Sequence, residues 1–188
     1  RSVAQKYWVR SVDQKAHEYG ATASEFLLGD LSDASVVTKA FDLPESGVFD
    51  EVYQLAADMG GAGYIFSGEN DAQVMYNSAT INLHVLNEIR RRNLIAKKNL
   101  TKVFYSSSAC IYPAEIQQDP QNPGLKEGDA YPANPDSEYG WEKLFSERVY
   151  FSFSRNYGIP VRVARFQDRK STRLNSSHVS ESRMPSSA

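Results

Sequence analysis

The sequence predicts an α/β protein built on a doubly wound parallel sheet, and two observations lead to that prediction. Five apolar stretches of strand length are separated by segments of helical period. The strands are apolar enough for burial on both sides. Strands that alternate with helices in this way are typical of a parallel sheet covered by helices on both faces.

In the first third of the chain, two predicted strands each end in an acid. They cover Trp8–Asp13 and Glu25–Asp30. A short helix is predicted over Ser35–Phe41, and a following proline closes it. The third strand, Phe49–Ala56, leads directly into a glycine-rich stretch.

The remaining elements contain the two longest predicted helices. An amphipathic helix is predicted over Asp71–Arg92 and a strand over Lys102–Ser106. A surface loop rich in proline and glycine covers Pro113–Pro135. The second long helix, Ser137–Tyr157, is followed by glycine and proline as stop signals, and Val161–Phe166 is the fifth strand. In such a sheet, the chemistry is expected at the carboxyl ends of the strands.

Composition limits the classes of function. The chain has 188 residues, a formal net charge of −2 and one cysteine. Such a length favours one domain, and the charge provides no basic field for nucleic acid. One cysteine allows no intrachain disulfide, which favours the reducing cytoplasm. No zinc-like Cys/His cluster and no apolar run of membrane-spanning length occurs, so neither a metal nor a membrane is expected.

Acids at the ends of the first two predicted strands point to a dinucleotide. Asp13 can accept hydrogen bonds from the adenosine ribose hydroxyls, and it would repel a phosphate there, which favours NAD over NADP. Asp30 can reach the adenine amino group, with Leu31 against the ring. A helix cap or a turn acid is the alternative for Asp13, and a helix cap is the alternative for Asp30.

Small residues follow the third predicted strand. Ala56 and Ala57 would let a pyrophosphate or ribose approach the backbone. Gly60 and Gly61 can offer backbone N–H groups to a substrate. A glycine-rich turn without a ligand is the alternative.

Tyr139 and Lys143 give the strongest chemical signal. They are four residues apart at the start of a predicted helix, so the phenol and the ammonium lie on one face. A phenol with a pKa near ~10 is a poor base at neutral pH, and a nearby cation would lower that pKa. Lys143 can also hold a nicotinamide ribose. Serines at the end of the fourth strand, Ser108 among them, can hydrogen-bond a substrate oxygen, which completes a hydride-transfer set.

Cys110 lies two positions after Ser108. If the chain stays extended there, the two side chains point to the same side, and the thiol becomes a candidate acid or base for a carbon-bound proton. A buried small hydrophobic side chain is the alternative for a lone cysteine.

These residues, in this order, resemble the extended short-chain dehydrogenase/reductase family of nucleotide-sugar epimerases and dehydratases, whose fold is Rossmann-like. Three stretches resemble the GDP-mannose 3,5-epimerase group within it: Leu55–Ile65, Ser107–Pro113 and Lys126–Pro132. The Ser-Ala-Cys motif at 108–110 separates this group from the 4-epimerases, which usually lack the cysteine.

The resemblance implies tightly bound NAD that is recycled in each turnover. Tyr139 would take the C4 hydroxyl proton of the sugar, and Cys110 would act as an acid/base at C3 and C5 of a 4-keto intermediate. Gly60 and the segment Ser108, Ala109 and Cys110 would contact the sugar. The expected partners are a nucleotide sugar, GDP-mannose first, and, in the full-length protein, a second copy in a homodimer.

The resemblance also implies that the sheet is incomplete. The first strand and the glycine-rich loop of the family should precede Trp8, and the lysine that partners Cys110 should follow Gln167. Without that first strand, the two halves of the sheet are expected to stay unpaired, so that residues 1–188 alone would be inactive. Alternative functions are a 4-epimerase, a 4,6-dehydratase, or a catalytically silent NAD-binding regulator, although a regulator would often lack Tyr139 or Lys143.

The last segment differs in composition from the rest. Residues 168–188 are rich in serine and have no apolar period. Read back into codons, Asp168–His178 fits a common short-read sequencing adapter, and Ser182–Ala188 fits the far end of that adapter. We therefore predict that residues 1–167 form a partial NAD-binding domain and that 168–188 are a translated adapter outside the native fold.

Overall fold

The computed structural model describes residues 6–16, 23–44, 47–97, 101–118 and 124–166. The described strands are β1 (Arg10–Asp13), β2 (Glu25–Leu28), β3 (Glu51–Gln54), β4 (Lys102–Ser108) and β5 (Val161–Phe166). The described helices are α1 (Ala34–Ala40), α2 (Ala62–Ile65), α3 (Asp71–Ala96), α4 (Ala114–Gln118) and α5 (Glu138–Tyr157). The predicted alternation of strands and helices is confirmed.

The strands form two parallel sheets. One contains β1 and β2, with Asp13 opposite Leu28, and the other has the order β3-β4-β5. Among the described residues, no ladder joins the two sheets. Side chains connect the halves instead. The Trp8 ring stacks on Phe49 with centroids 6.0 Å apart, and Val12 of β1 and Leu27 of β2 pack against the buried cluster that includes Tyr105 of β4.

The main core lies between the β3-β4-β5 sheet and the helices α3 and α5. Tyr105 of β4 stacks on Tyr150 of α5 with ring centroids 4.5 Å apart. Leu86 and Ile89 of α3 are buried in the same cluster. This packing holds α5 firmly against the carboxyl end of β4, and α5 carries two of the predicted site residues.

Several element bounds differ from the predicted ones. α3 continues to Ala96, beyond Arg92, and ends where Lys97 takes a left-handed conformation. β4 extends to Ser108 because it pairs with β5 as far as Ser108 opposite Phe166. The predicted loop over Pro113–Pro135 contains α4 and a 3-10 turn at Glu127–Ala130.

The predicted end of α5 at Gly158 is confirmed, and Ser137, predicted as its first residue, is its N-cap. The Ser137 side chain accepts from the N–H of Gly140, and Gly158 ends the helix with φ of 68°. Residues 167–188, and with them the predicted adapter segment, lie outside the described residues. No helix in the described part of the chain is long and apolar enough to cross a membrane.

Candidate active site

The candidate site lies where β4 ends and α5 begins. Gly140, the third residue of α5, touches the turn after β4: a Cβ atom there would collide with the carbonyl oxygen of Cys110 and lie 2.9 Å from Cβ of Pro135. Only glycine permits this approach without a shift of the backbone. The contact brings Tyr139 beside the turn that carries Ser108 and Cys110.

That turn differs from the extended chain assumed for Ser108 and Cys110. Ala109–Ile111 form a 3-10 turn, and the Ser108 side chain caps it by accepting from the N–H of Cys110 at 3.2 Å. The assumption of an extended chain was therefore wrong, because β4 ends at Ser108. The thiol nevertheless stays near Ser108. Burial raises the pKa of Cys110, and an interaction with the Ser108 side chain opposes that shift by less.

Tyr139 is buried beside the loop that follows β3. Its hydroxyl lies 3.9 Å from Sδ of Met59, and its ring packs with Ile65 and Val74. Burial raises the pKa of Tyr139 to about 12, and an interaction with Ser108 lowers it by less. The predicted shift toward neutrality is therefore wrong for this structure, because loss of solvent around the phenol raises its pKa.

Lys143 lies on the same face of α5 as Tyr139, as predicted. Its Nζ is 5.6 Å from the centre of the Tyr139 ring and 5.1 Å from that of Tyr105. One of its N–H groups donates to the carbonyl of Ser106 at 3.0 Å. Burial lowers the pKa of Lys143, and the charge of Glu142 opposes that shift.

The loop after β3 forms the opposite wall of the site. Asp58 fixes it: its carboxylate accepts from the Asn77 amide at 2.7 Å and from the Tyr64 hydroxyl at 3.2 Å. The N–H of Asp58 donates to the Ser78 hydroxyl at 2.9 Å. Gly60 is exposed here, and a Cβ on it would meet the Tyr64 ring at 2.6 Å.

Sequence reasoning missed Asp58 and Met59, since nothing in their spacing pointed to these contacts. The adjoining glycines were the available signal, because a glycine-rich loop at a strand end often approaches another segment closely.

Asp13 is the last residue of β1, and Asp30 follows the end of β2 by two residues. Asp13 Oδ1 accepts from the N–H of Lys15 at 2.9 Å, and Asp30 Oδ1 accepts from the N–H of Ser32 at 2.8 Å. The second bond lowers the pKa of Asp30. Leu31 is half-buried and packs against the main core. Asp13 therefore makes the turn contact that was an alternative to ligand binding. Asp30 also makes a turn contact and is not a helix cap, since Asp33 caps α1. Each acid keeps further acceptor capacity.

Comparison with known proteins supplies the family. The model of the NAD dependent epimerase/dehydratase family matches residues 2–186. This chain belongs to that family. It is 42% identical over 119 residues to GDP-mannose 3,5-epimerase of Arabidopsis thaliana, and 44% identical over 119 residues to GDP-mannose 3,5-epimerase 1 of Oryza sativa subspecies indica. Each match covers 63% of this chain and 29% of the relative, so the chain spans well under half of their length.

A solved epimerase shares the fold. UDP-glucose 4-epimerase from Brucella ovis, crystallised with NAD, superposes with a TM-score of 0.67 at 22% identity, covering 86% of this chain and 44% of that one. The likeness confirms the Rossmann-like α/β class.

The residues of this family member fit NAD by their chemistry. The carboxylates of Asp13 and Asp30 are acceptors for hydroxyl and amino groups, and Ala56 and Ala57 offer no bulk where a cofactor would pass. Lys143 has three donors, of which one is used on Ser106. Ser107 Oγ is buried at the end of β4 with no hydrogen-bond partner among the described residues. In the described ranges, no three His, Cys, Asp or Glu side chains are grouped as metal ligands would be.

Proposed function

We propose that the full-length protein is an NAD-dependent epimerase of a nucleotide sugar, and that GDP-mannose is its substrate, inverted at C3 and C5 through a transient 4-keto sugar. One observation carries this proposal: a hydroxyl, a thiol and a phenol, from Ser108, Cys110 and Tyr139, meet where β4 ends and α5 begins. The two relatives named GDP-mannose 3,5-epimerase, at 42% and 44% identity, support the substrate.

Tyr139 is proposed as the acid/base at the C4 hydroxyl. NAD, when bound, accepts hydride from C4 and later returns it, and its oxidised ring adds positive charge to the site. Tyr139 would take the hydroxyl proton in the first step and give it back in the last. Its pKa of about 12 means that the phenol keeps its own proton at neutral pH in this structure. Additional positive charge near the phenol is therefore needed before Tyr139 can act as a base.

Lys143 is proposed to supply part of that charge and to hold the nicotinamide ribose. Its Nζ is anchored to the carbonyl of Ser106, which fixes it beneath the Tyr139 ring. The Ser108 hydroxyl would hydrogen-bond the C4 oxygen, since it already interacts with both Tyr139 and Cys110.

Cys110 is proposed as one of two acid/base groups at C3 and C5. A 4-keto group acidifies the hydrogens on both neighbouring carbons, so inversion needs one group to remove the proton and another to deliver it to the opposite face. Burial raises the pKa of Cys110, so the thiol is protonated at neutral pH. This state suits delivery of a proton. Gly60 and Ala109 would contact the sugar beside it.

The remaining expectations on cofactor, partner and location are also proposals. Asp13 would bind the adenosine ribose, Asp30 the adenine amino group and Leu31 the adenine ring, while Ala56 and Ala57 would border the cofactor.

We further propose a homodimer. Trp141 and Phe145, one helical turn apart on α5, are 39% and 47% exposed, which leaves apolar surface for a second copy. We also propose a cytoplasmic location, because a single free cysteine is typical of proteins in a reducing compartment.

The direct test is solvent exchange. The full-length protein is incubated with NAD and GDP-mannose in deuterated water, and the sugar is followed by proton NMR. Deuterium entering at C3 and C5 is expected, with none at C4. UDP-glucose in a parallel tube is the control for a 4-epimerase. Inversion of UDP-glucose at C4, without exchange in GDP-mannose, would contradict the proposed substrate; NAD binding without any turnover would favour the silent regulator.

A further inference from the structure

Asn82 of α3 is the centre of a buried hydrogen-bond network. The residue is 1% exposed. Its Oδ1 accepts from Gln54 Nε2 at 3.1 Å and from the Tyr150 hydroxyl at 3.0 Å. Its Nδ2 donates to Glu142 Oε1 at 3.2 Å and to Ser146 Oγ at 3.1 Å. An amide has two donors and two acceptor lone pairs, so Asn82 uses its whole capacity.

The network joins the two walls of the candidate site. On one side, Gln54 also donates at 3.0 Å to the carbonyl of Ala56, one of the two small residues proposed to border the cofactor. On the other side, Glu142 lies directly before Lys143 in the sequence and three residues after Tyr139. Ser146 donates to Glu142 Oε1 at 2.6 Å and closes the network on α5.

We propose that Asn82 is a positioning residue, which holds α5, with Tyr139 and Lys143, in register with the Ala56 end of β3 through bonds whose donor and acceptor directions are fixed. The inference rests on the proposed function, since it assigns Asn82 a role toward that acid/base pair and that cofactor segment. Asn82 touches no substrate in this role.

The surroundings of Glu142 explain why the direction of these bonds matters. Glu142 is 1% exposed, and its Oε2 has no hydrogen-bond partner in the described part of the chain. Burial raises the pKa of Glu142, and Lys143, Ser146 and Asn82 oppose that shift. The other titratable groups facing it are Tyr105 of β4 and Tyr139 and Tyr150 of α5. A second oxygen in place of Asn82 Nδ2 would therefore meet a carboxyl that has little other stabilisation.

The first test replaces the donor Nδ2, which bonds both Glu142 and Ser146, by an acceptor. Asn82→Asp keeps both acceptors for Gln54 and Tyr150 but places an oxygen against Glu142 Oε1. We expect kcat to fall at least tenfold at neutral pH and to recover partly as the pH is lowered, because a shared proton then links the two carboxyls. The Kd for NAD should change less than threefold, because the bond from Gln54 remains.

The matched rescue is the double variant Asn82→Asp/Glu142→Gln. The amide introduced at position 142 can donate to the carboxylate introduced at position 82, so a bond forms again with donor and acceptor exchanged. We expect kcat to return to within about threefold of wild type, and the recovery at low pH to disappear. A double variant no better than Asn82→Asp would overturn the inference.

Asn93→Asp is the control on the same helix. Asn93 is also buried, and its Oδ1 accepts from the Thr101 hydroxyl at 2.9 Å, away from the site. The Asn93→Asp variant should have lower thermal stability than wild type and an unchanged pH profile of kcat. A loss of kcat equal to that of Asn82→Asp would overturn the inference.

If Asn82→Asp does not fold, Tyr150→Phe replaces it as the test, since it removes one bond to Asn82 and keeps the stacked ring. We expect kcat of Tyr150→Phe to fall about fivefold. An unchanged kcat would overturn the inference.

Failure of the proposed function would look different. If wild-type protein binds NAD but leaves GDP-mannose unchanged, the proposed function alone fails. The Kd for NAD then tests the inference: Asn82→Leu should weaken NAD at least tenfold because Gln54 loses its anchor, while Asn93→Leu should not. Equal NAD affinity in wild type and Asn82→Leu would overturn it.

Discussion

The two ends of the proposed cofactor site are held by different kinds of contact. At the adenosine end, Asp13 and Asp30 are each bonded to a backbone N–H only two residues away. At the nicotinamide end, Lys143 is bonded to a carbonyl 37 residues away, and Tyr139 contacts Met59, which is 80 residues away. The adenosine end is therefore built by local turns, and the nicotinamide end by tertiary packing.

This difference predicts how each end responds to substitution. A local turn keeps its geometry when its side chain is replaced by one with the same acceptor, so an acid there can be neutralised at low structural cost. A packed side chain shares its position with several segments, and a change there affects all of them. Substitutions around Tyr139 should therefore have large effects, and substitutions at Asp13 and Asp30 small ones.

The largest expected effect is that of Tyr139→Phe on turnover. Phenylalanine keeps the ring that packs with Ile65 and Val74 and removes only the hydroxyl, so the fold and NAD binding should survive. We expect epimerisation to be lost, by roughly 10²–10⁴-fold, the range for a missing acid/base. Steady-state assays and NAD titration measure both properties. Tyr76→Phe, on a 71% exposed tyrosine, is the control. Near-wild-type turnover in Tyr139→Phe would remove this residue from the chemistry.

Cys110→Ala should separate the two proton transfers from the hydride step. The thiol interacts with Ser108, and its loss removes one acid/base while the Tyr139 hydroxyl and the Lys143 ammonium both remain. We expect solvent deuterium to enter C3 and C5 about 10²-fold more slowly, while hydride transfer at C4 continues. Proton NMR reports the exchange, and absorbance of transiently reduced NAD reports the hydride step. Normal exchange at both carbons would mean that Cys110 only packs.

Local signals explain which parts of the fold the sequence could predict. The ends of α5 follow from Ser137 and Gly158, whose capping needs only neighbouring residues. The match of Tyr139 and Lys143 to one helix face follows from their spacing alone. By contrast, the length of β4 depends on its pairing with β5, so its last two residues could not be read from its own composition.

The pKa of Tyr139 shows why part of the site could not be predicted. Sequence spacing placed a cation near the phenol, and the cation is there, 5.6 Å from the ring centre. The burial that dominates the pKa comes from α2, α3 and the loop after β3, which are distant in the sequence. Asn82 is similar: its four partners lie 28, 60, 64 and 68 residues away, and no local pattern connects them.

Gly140→Ala tests how closely α5 packs against the turn after β4 at the nicotinamide end. The new Cβ would overlap the carbonyl oxygen of Cys110, so the turn or the helix must move. We expect a loss of about 1–3 kcal/mol in the free energy of unfolding, as for other overpacked sites. Chemical denaturation of the full-length protein measures it. Gly128→Ala is the matched control, because a Cβ there meets nothing within 4 Å. Equal stability of the two variants would show that the contact is loose.

The smallest structural effect is expected at the adenosine end. Asp13→Asn and Asp30→Asn each keep an oxygen for the turn N–H, so the free energy of unfolding at neutral pH should change by less than about 1 kcal/mol. The pKa of Asp30 is lowered by its bond from Ser32, so its charged form stabilises the fold. That stabilisation is present above the ordinary carboxyl pKa and is lost as the pH falls through the lowered one. Asp30→Asn should remove this part of the acid dependence.

Ligand binding at the same two positions provides the last test of the comparison. Without the charge of Asp13, the 2′-phosphate of NADP is no longer repelled, so the preference for NAD over NADP should fall about tenfold in Asp13→Asn. Asp30→Asn, whose side chain is proposed to meet adenine, should leave that preference within about threefold. Calorimetric titration with both nucleotides measures it. If either variant instead lost stability as Gly140→Ala should, the adenosine end would also depend on tertiary packing, and the contrast between the two ends would not hold.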